Sequence, residues 1–297
     1  MIYKSQNVIS VIVVYNFKVS ALKKTINSHL KTCKKTLIIN NSPDISLKDF
    51  QSDRIFLITN ASNLGLAKAL NIAIKKIMTL DFSMIAFFDQ DSILPANFTK
   101  RMLKQINKID YNNVALFSPA FYNILTNSFG DTINFKPFRL IRTPRNKYPT
   151  VTYPEYVITS GSFIPISSFN SIGIMHEPLF IDFIDIEWCL RARAKGYEVV
   201  SFQSVCIKHK LGDYAINILG VKYPIHSPTR MYYYFRNSIY LYSRKDLPIN
   251  WRIIDATRNI FRFLFYIMFV KNRLIYLKYI IKGYYHGLIK KMGKLEE

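Results

Sequence analysis

Apolar runs alternate with amphipathic stretches over the first 110 residues. Val8–Val14 is apolar at every position but Ser10, the pattern of a parallel strand covered on both faces. A helical stretch follows through Leu22–Leu30. A second strand is expected at Thr36–Ile39, closing on Asn40-Asn41-Ser42-Pro43, and a third at Arg54–Ile58. After Asn60–Asn63, the apolar residues Leu66, Leu70, Ala73, Ile74 and Ile77 recur at helical spacing. Met84–Phe88 reads as a fourth strand and stops abruptly at Asp89-Gln90-Asp91-Ser92. This alternation predicts a doubly wound α/β sheet with ligands at the carboxyl ends of its strands.

The segment from about 120 to 155 shows no clear period and reads as loops. Val157–Ile166 is expected as a strand interrupted by Ser160-Gly161-Ser162. A helix follows over Asp185–Lys195, stopped by Gly196, and strands at Glu198–Phe202 and Val205–Lys208. From His226 onward the chain changes character: 14 Lys and Arg stand against 4 Asp and Glu, interleaved with Tyr, Phe and Ile. Ile260, Phe261, Leu264, Phe265 and Met268 form a helical stripe beside Arg258 and Arg262. A basic, aromatic-rich helical region over 226–297, suited to an anionic membrane surface, is therefore expected. It would follow a domain over 1–225, itself split near residue 118 into a nucleotide half and an acceptor half.

Composition narrows the classes. Hydrophobic residues are 49% of the chain, enough for a real core. Lys and Arg number 41 against 19 Asp and Glu, a formal charge of +22, which calls for a polyanionic neighbour. No helix-turn-helix, RRM or zinc-finger pattern occurs, and most aromatics lie inside apolar runs, so nucleic acid is not expected as that neighbour. Cys33, Cys189 and Cys206 lack metal-type spacing and fit a reducing cytosol. No run approaches the roughly 18 apolar residues of a membrane span. Val8–Tyr15 is followed by Asn-Phe-Lys instead of a cleavage site.

Three groups could carry chemistry. Asp89 and Asp91, one residue apart at a strand's end, can turn toward one point and hold a hard divalent cation; a solvated turn is the bland reading. Asp182, Asp185 and Glu187 lie among large apolar groups, which raise a carboxylate's pKa and make it a better proton acceptor near neutrality. Asp185 as a helix N-cap and Glu187 facing the helix dipole is the structural alternative. His209, after the last predicted strand, could complete a cation's coordination.

Together these residues resemble a known family. V-V-Y-N (Val13–Asn16), N-N-S (Asn40–Ser42), N-x-G-x-A-x-x-x-N (Asn63, Gly65, Ala67, Asn71) and F-D-Q-D-S (Phe88–Ser92) are similar to inverting family-2 glycosyltransferases of the GT-A fold. T-S-G-S (Thr159–Ser162), L-F-I-D-F-I-D-I-E-W (Leu179–Trp188), Arg191 to Tyr197, H-x-x-G-D (His209–Asp213) and H-S-P-x-R-x-Y-Y (His226–Tyr233) with Arg236-Asn237 resemble bacterial rhamnosyltransferases of O-antigen and capsule assembly. The resemblance runs collinearly from about residue 8 to 245.

It implies a nucleotide-sugar donor, dTDP-L-rhamnose foremost, with UDP-galactofuranose, UDP-galactose or UDP-glucose as alternatives. It also implies a polyprenyl-diphosphate-linked saccharide acceptor at the cytoplasmic face of the inner membrane. Asn16, Asn40, Asn63, Gly65 and Asn71 would line the nucleotide site. Asp89 would sit near ribose and metal, and Asp91 and His209 would bind Mg²⁺ or Mn²⁺. Asp185 falls at the position of the catalytic base, with Asp182 the other candidate. Glu187 would take a second acidic position and Trp188 would wall the acceptor site. Arg230 and Arg236 would help the leaving diphosphate. Two departures stand out. Asn40 replaces a frequent Asp, though its amide oxygen can still accept a pyrimidine imide N–H. The usual acidic pair is split by Phe183 and Ile184.

Overall fold

The computed structural model describes residues 2–110, 112–145 and 150–296. Its first half follows the predicted alternation: β1 (Val8–Val14), α1 (Val19–Leu30), β2 (Lys35–Asn40), β3 (Ile55–Thr59), α2 (Leu66–Ile77), β4 (Met84–Asp89), α3 (Phe98–Ile106) and β5 (Val114–Asn123). β1 pairs in parallel with both β2 and β4, and β2 with β3. Alternate residues of β1 serve opposite faces. Ile9 and Val11 pack with α2, whereas Ile12 and Val14 pack with α1. A strand flanked this way has no polar face to show, which is why its sequence is nearly all apolar.

The second half departs more. The stretch expected as loops holds β6 (Ser128–Phe129), a hairpin of β7 (Thr132–Lys136) and β8 (Arg139–Thr143), and β9 (Val151–Thr152); its residues 146–149 lie outside the described residues. The strand expected at Val157–Ile166 shrinks to β10 (Phe163–Pro165), because Gly161 (φ +88°) turns the chain sharply before it and Ile166 begins α4 (Ile166–Ile172). β10 runs antiparallel between β4 and β5. The helix expected from Asp185 is α5 (Ile184–Ala194), and Gly196 (φ +84°) follows its end as expected. Two expected strands are one, β11 (Glu198–His209), kinked by a bulge between Phe202 and Cys206.

The resulting nine-stranded sheet runs β3-β2-β1-β4-β10-β5-β11-β9, with β6 on the edge of β5. α2, α4 and α5 contribute to the cluster on one face, and α3 to that on the other. A second hairpin, β12 (Tyr214–Ile218) and β13 (Val221–Ile225), leads to three helices: α6 (Pro228–Tyr242), α7 (Ile249–Phe269) and α8 (Arg273–Leu288). Leu241 of α6 and Trp251 of α7 join the main core, so the basic region starting at His226 is packed into the sheet domain. No helix among the described residues is long and apolar enough to cross a membrane.

Candidate active site

Register puts the chemistry at one edge of the sheet. Asp89 ends β4 opposite Val13 of β1, and Asn40 ends β2 opposite Val14. The residue between the two aspartates explains their spacing. Gln90 clamps the neighbouring strand end, accepting from Tyr15 N–H (2.8 Å) and donating to Tyr15 C=O (3.1 Å). Asp89 and Asp91 are left to meet His209, which ends β11. Ligand atoms of the three lie within 4.8 Å of one another.

His209 is buried, and its Nδ1, 3.5 Å from Asp89 Oδ2, has no hydrogen-bond partner among the described residues. A buried ring nitrogen left without a partner is costly, and it is aimed at two carboxylates. This donor set fits a divalent cation. Asp89's side chain stays 38% exposed, so a cation and a diphosphate oxygen can both reach it. Its carboxyl is held above the usual range by the protein packed round it. The His209 and Arg230 charges oppose that rise, and Asp91 adds to it.

Asp185 stands in the first turn of α5 instead of at its cap, two positions past the N-cap Phe183, which has left-handed geometry. Its Oδ1 accepts from Ile186 N–H (2.9 Å) and its Oδ2 from Thr159 N–H (3.3 Å). Burial pushes its pKa up to about 6; the two amide bonds oppose that and Asp182 adds to it. Thr159 has a neighbour with a second task. The Ser160 hydroxyl accepts from Asp89 N–H (3.2 Å) and bonds the Ser92 hydroxyl (2.7 Å). Adjacent residues of T-S-G-S thus hold the raised carboxylate and the first metal-site aspartate. Asp185 opens onto a cavity of about 590 Å³ whose walls include Asn123, Arg142, Tyr156, Gln203 and Tyr223.

Asp182 has a different environment. Its carboxylate pairs with Arg230, 2.5 and 3.3 Å from the guanidinium. Phe180, Asp182 and Phe183 all have positive φ (64°, 65° and 64°), a strained run of the kind found at working sites. Its restraints come from α6 and α2. Asn237 Nδ2 donates to the carbonyls of Leu179, Ile181 and Asp182 (3.0, 2.7 and 3.0 Å). Arg236 donates to Leu179 C=O (2.8 Å) and stacks over Tyr233. The first amides of α2, Leu66 and Ala67, donate to Phe180 C=O. Sequence reasoning named Arg236 for donor chemistry and passed over Asn237. The Arg-Asn pair was the available signal, but its partners are main-chain carbonyls.

Several expected contacts are therefore corrected. Arg236 is fully buried and braces the strained run, away from any diphosphate. Glu187 is fully buried between Arg191 (2.9 Å) and Arg244 (2.8 Å), locking α5 to the turn that follows α6. Trp188 is 1% exposed and donates to Gly173 C=O (2.8 Å); it fills the core and walls nothing. Asn71 is buried and tied to both N–H of Met175 and C=O of the same residue (2.9 Å each). Asn40 is buried, and its oxygen is taken by Ser42 N–H (2.9 Å) and its amide N–H by Ile45 C=O (2.9 Å). These bonds hold the turn after β2. Asn63 spends its oxygen on Gly65 N–H (3.0 Å). At Gly65 (φ +81°) a Cβ would lie 2.4 Å from the Phe180 ring; the glycine serves the strained run. Asn16, two residues past β1, is exposed, and its backbone N–H donates to the Ser42 hydroxyl (2.8 Å).

Residues 10–165 match the model of glycosyl transferase family 2. The chain belongs to that family. It is 30% identical, over 92% of its own length and 93% of the relative's, to a protein of Shigella flexneri described as dTDP-rhamnosyl transferase RfbF. The crystal structure of GalNAc-T7 with UDP, GalNAc and Mn²⁺ shares the fold, with a TM-score of 0.58 at 15% identity. The match covers 96% of this chain and 56% of that one, so the chain spans little more than half the length of that structure. This glycosyltransferase thus has the GT-A arrangement expected of it: a mostly parallel sheet flanked by helices, with a helical C-terminal region.

Proposed function

We propose that this glycosyltransferase moves L-rhamnose from dTDP-L-rhamnose, with inversion, onto a saccharide carried on a lipid diphosphate during assembly of a bacterial surface polysaccharide. The observation that carries the mechanism is the link from Asp185 through Thr159 and Ser160 to Asp89. The donor assignment is supported by the rhamnosyl relative, which matches along nearly the whole of both chains.

Asp185, with its pKa near 6, is ionised at neutral pH yet basic enough to take a proton from an acceptor hydroxyl. Asp182 is committed to Arg230, which leaves Asp185 as the base. The freed oxygen attacks the anomeric carbon on the face opposite the nucleoside diphosphate, so a β-linked donor gives an α-L-rhamnoside. Mg²⁺ or Mn²⁺ on Asp89, Asp91 and His209 would supply positive charge to the departing diphosphate. Arg230 adds a fixed charge beside Asp89, and Asn16 borders the nucleotide.

The exposed apolar side chains of α7 and α8, among them Ile260, Leu264, Met268 and Leu274, are interspersed with Lys and Arg. They support peripheral attachment at the cytoplasmic face of the inner membrane.

Calorimetry with dTDP-L-rhamnose, UDP-galactose, UDP-glucose and UDP-galactofuranose, each with Mn²⁺, with Mg²⁺ and with EDTA, tests the reading. Binding of dTDP-L-rhamnose alone, lost in EDTA, is expected. Preference for a UDP-hexose would overturn the rhamnosyl assignment and keep the mechanism. Metal-independent binding would overturn the role of Asp89, Asp91 and His209.

A further inference from the structure

A groove of about 530 Å³ runs between the β7–β8 hairpin and α7. Phe138, Ile253 and Phe261 give it an apolar wall although they are 73%, 41% and 67% exposed. Arg139, Arg142 and Arg258 give it a cationic one, and no carboxylate lines it. Among the described residues, the Arg139 and Arg142 side chains enter no ion pair or hydrogen bond, whereas Arg258 bonds the Tyr156 side chain and meets Asp255 at 3.9 Å. Exposed aromatic rings beside unanswered guanidinium groups mark a surface built for a ligand that is anionic at one end and apolar at the other.

This groove adjoins the Asp185 cavity. Arg142 lines both. Tyr156, on the wall of the Asp185 cavity, feels the charges of both Arg258 and Arg142. A group bound to Arg142 thus has the base cavity on one side and the Phe138–Phe261 wall on the other. The donor's diphosphate belongs elsewhere, with Asp89, Asp91 and His209 at the strand ends, so the molecule has two distinct places for such a group.

We infer that Arg142 and Arg139 hold the acceptor's diphosphate, with its saccharide in the Asp185 cavity and its apolar chain along Phe138 and Phe261. This rests on the glycosyltransferase reading above and assigns the site where its lipid-linked substrate docks. The arginine fork suits a diphosphate because it can give two parallel hydrogen bonds with charge.

The test uses the full chain in EDTA, so that no cation recruits a diphosphate to the donor site. Calorimetry compares farnesyl diphosphate, farnesol and inorganic diphosphate. Farnesyl diphosphate should bind at least about tenfold tighter than either fragment. Arg142→Ala, Arg139→Ala and Phe261→Ala should each weaken it about tenfold, with Arg142→Lys in between. These side chains are on the surface, and unchanged melting temperatures will show that the variants fold. Equal affinity in Arg142→Ala, equal binding of farnesol, or no binding at all would overturn the inference. So would competition by anionic phosphatidylglycerol vesicles lacking any diphosphate, which would make the groove a bilayer contact. The titration needs no donor, so its failure is separate from failure of the donor panel above, which bears on the glycosyltransferase reading itself.

Discussion

Asp185 concentrates the consequences of burial at one atom pair. With Asp185 as the base proposed above, its pKa near 6 predicts that activity falls as pH drops through about 6, where the carboxylate becomes protonated. A log kcat profile under saturating acceptor and donor should show a single acidic limb there. Asp185→Asn should lower kcat by about 10³ with donor affinity unchanged. The same substitution bears on stability with a definite sign. The folded carboxyl is raised above its unfolded value, so folding takes up protons between about pH 4 and 6, and the group's contribution declines as pH rises through that window. At pH 7.5 the uncharged amide should therefore raise the melting temperature by roughly 2–4 °C, and a lowered one would contradict the environment described. At this scale the sequence was a partial guide. Asp89, Asp91 and His209 meet at one point, as their places at strand ends suggest, and Asp185 is buried, as its apolar neighbours suggest. Glu187, Trp188, Asn71 and Arg236 were misplaced: a motif does not say whether a side chain faces the cleft or the chain behind it.

Elements were legible in proportion to their length and periodicity. β1, α2 and β4 fall within a residue or so of expectation, since six apolar residues in seven or a five-point helical stripe leave little choice. The β6 to β9 strands were missed because two to five residues show no period, and their pairing comes from distant partners. The packing of α8 against α6 depends on something subtler, the glycines Gly283 and Gly287. A Cβ on Gly283 would lie 2.6 Å from Tyr232 C=O, and one on Gly287 2.7 Å from Arg236 C=O. These carbonyls belong to the helix that carries Arg236 and Asn237. Gly283→Ala should thus cost about 1–3 kcal/mol by denaturant unfolding. It should also reduce kcat by loosening the 180–183 run; a variant with native stability would show that α8 can simply shift.

The whole molecule combines a +22 charge with an apolar face on its last two helices. Deleting the C-terminal region is a poor probe of membrane attachment, because Trp251 belongs to the main core and α8 supports α6. Surface substitutions are cleaner. Met268 is 64% and Leu274 75% exposed, and the double change Met268→Glu, Leu274→Glu should cut flotation with anionic liposomes at least about tenfold while leaving the melting curve alone. Unchanged flotation would move the attachment surface elsewhere.

The proposed base, Asp185, and the end of β4 at Asp89 are held by consecutive residues, Thr159 and Ser160. Consecutive Cα atoms are 3.8 Å apart whatever happens around them. On the proposed mechanism, this ties the position of the base to that of the donor's diphosphate site. Hairpins and helices that shape the acceptor side can be exchanged in evolution or by design, changing what is glycosylated, while the stereochemistry of the new bond stays as it was.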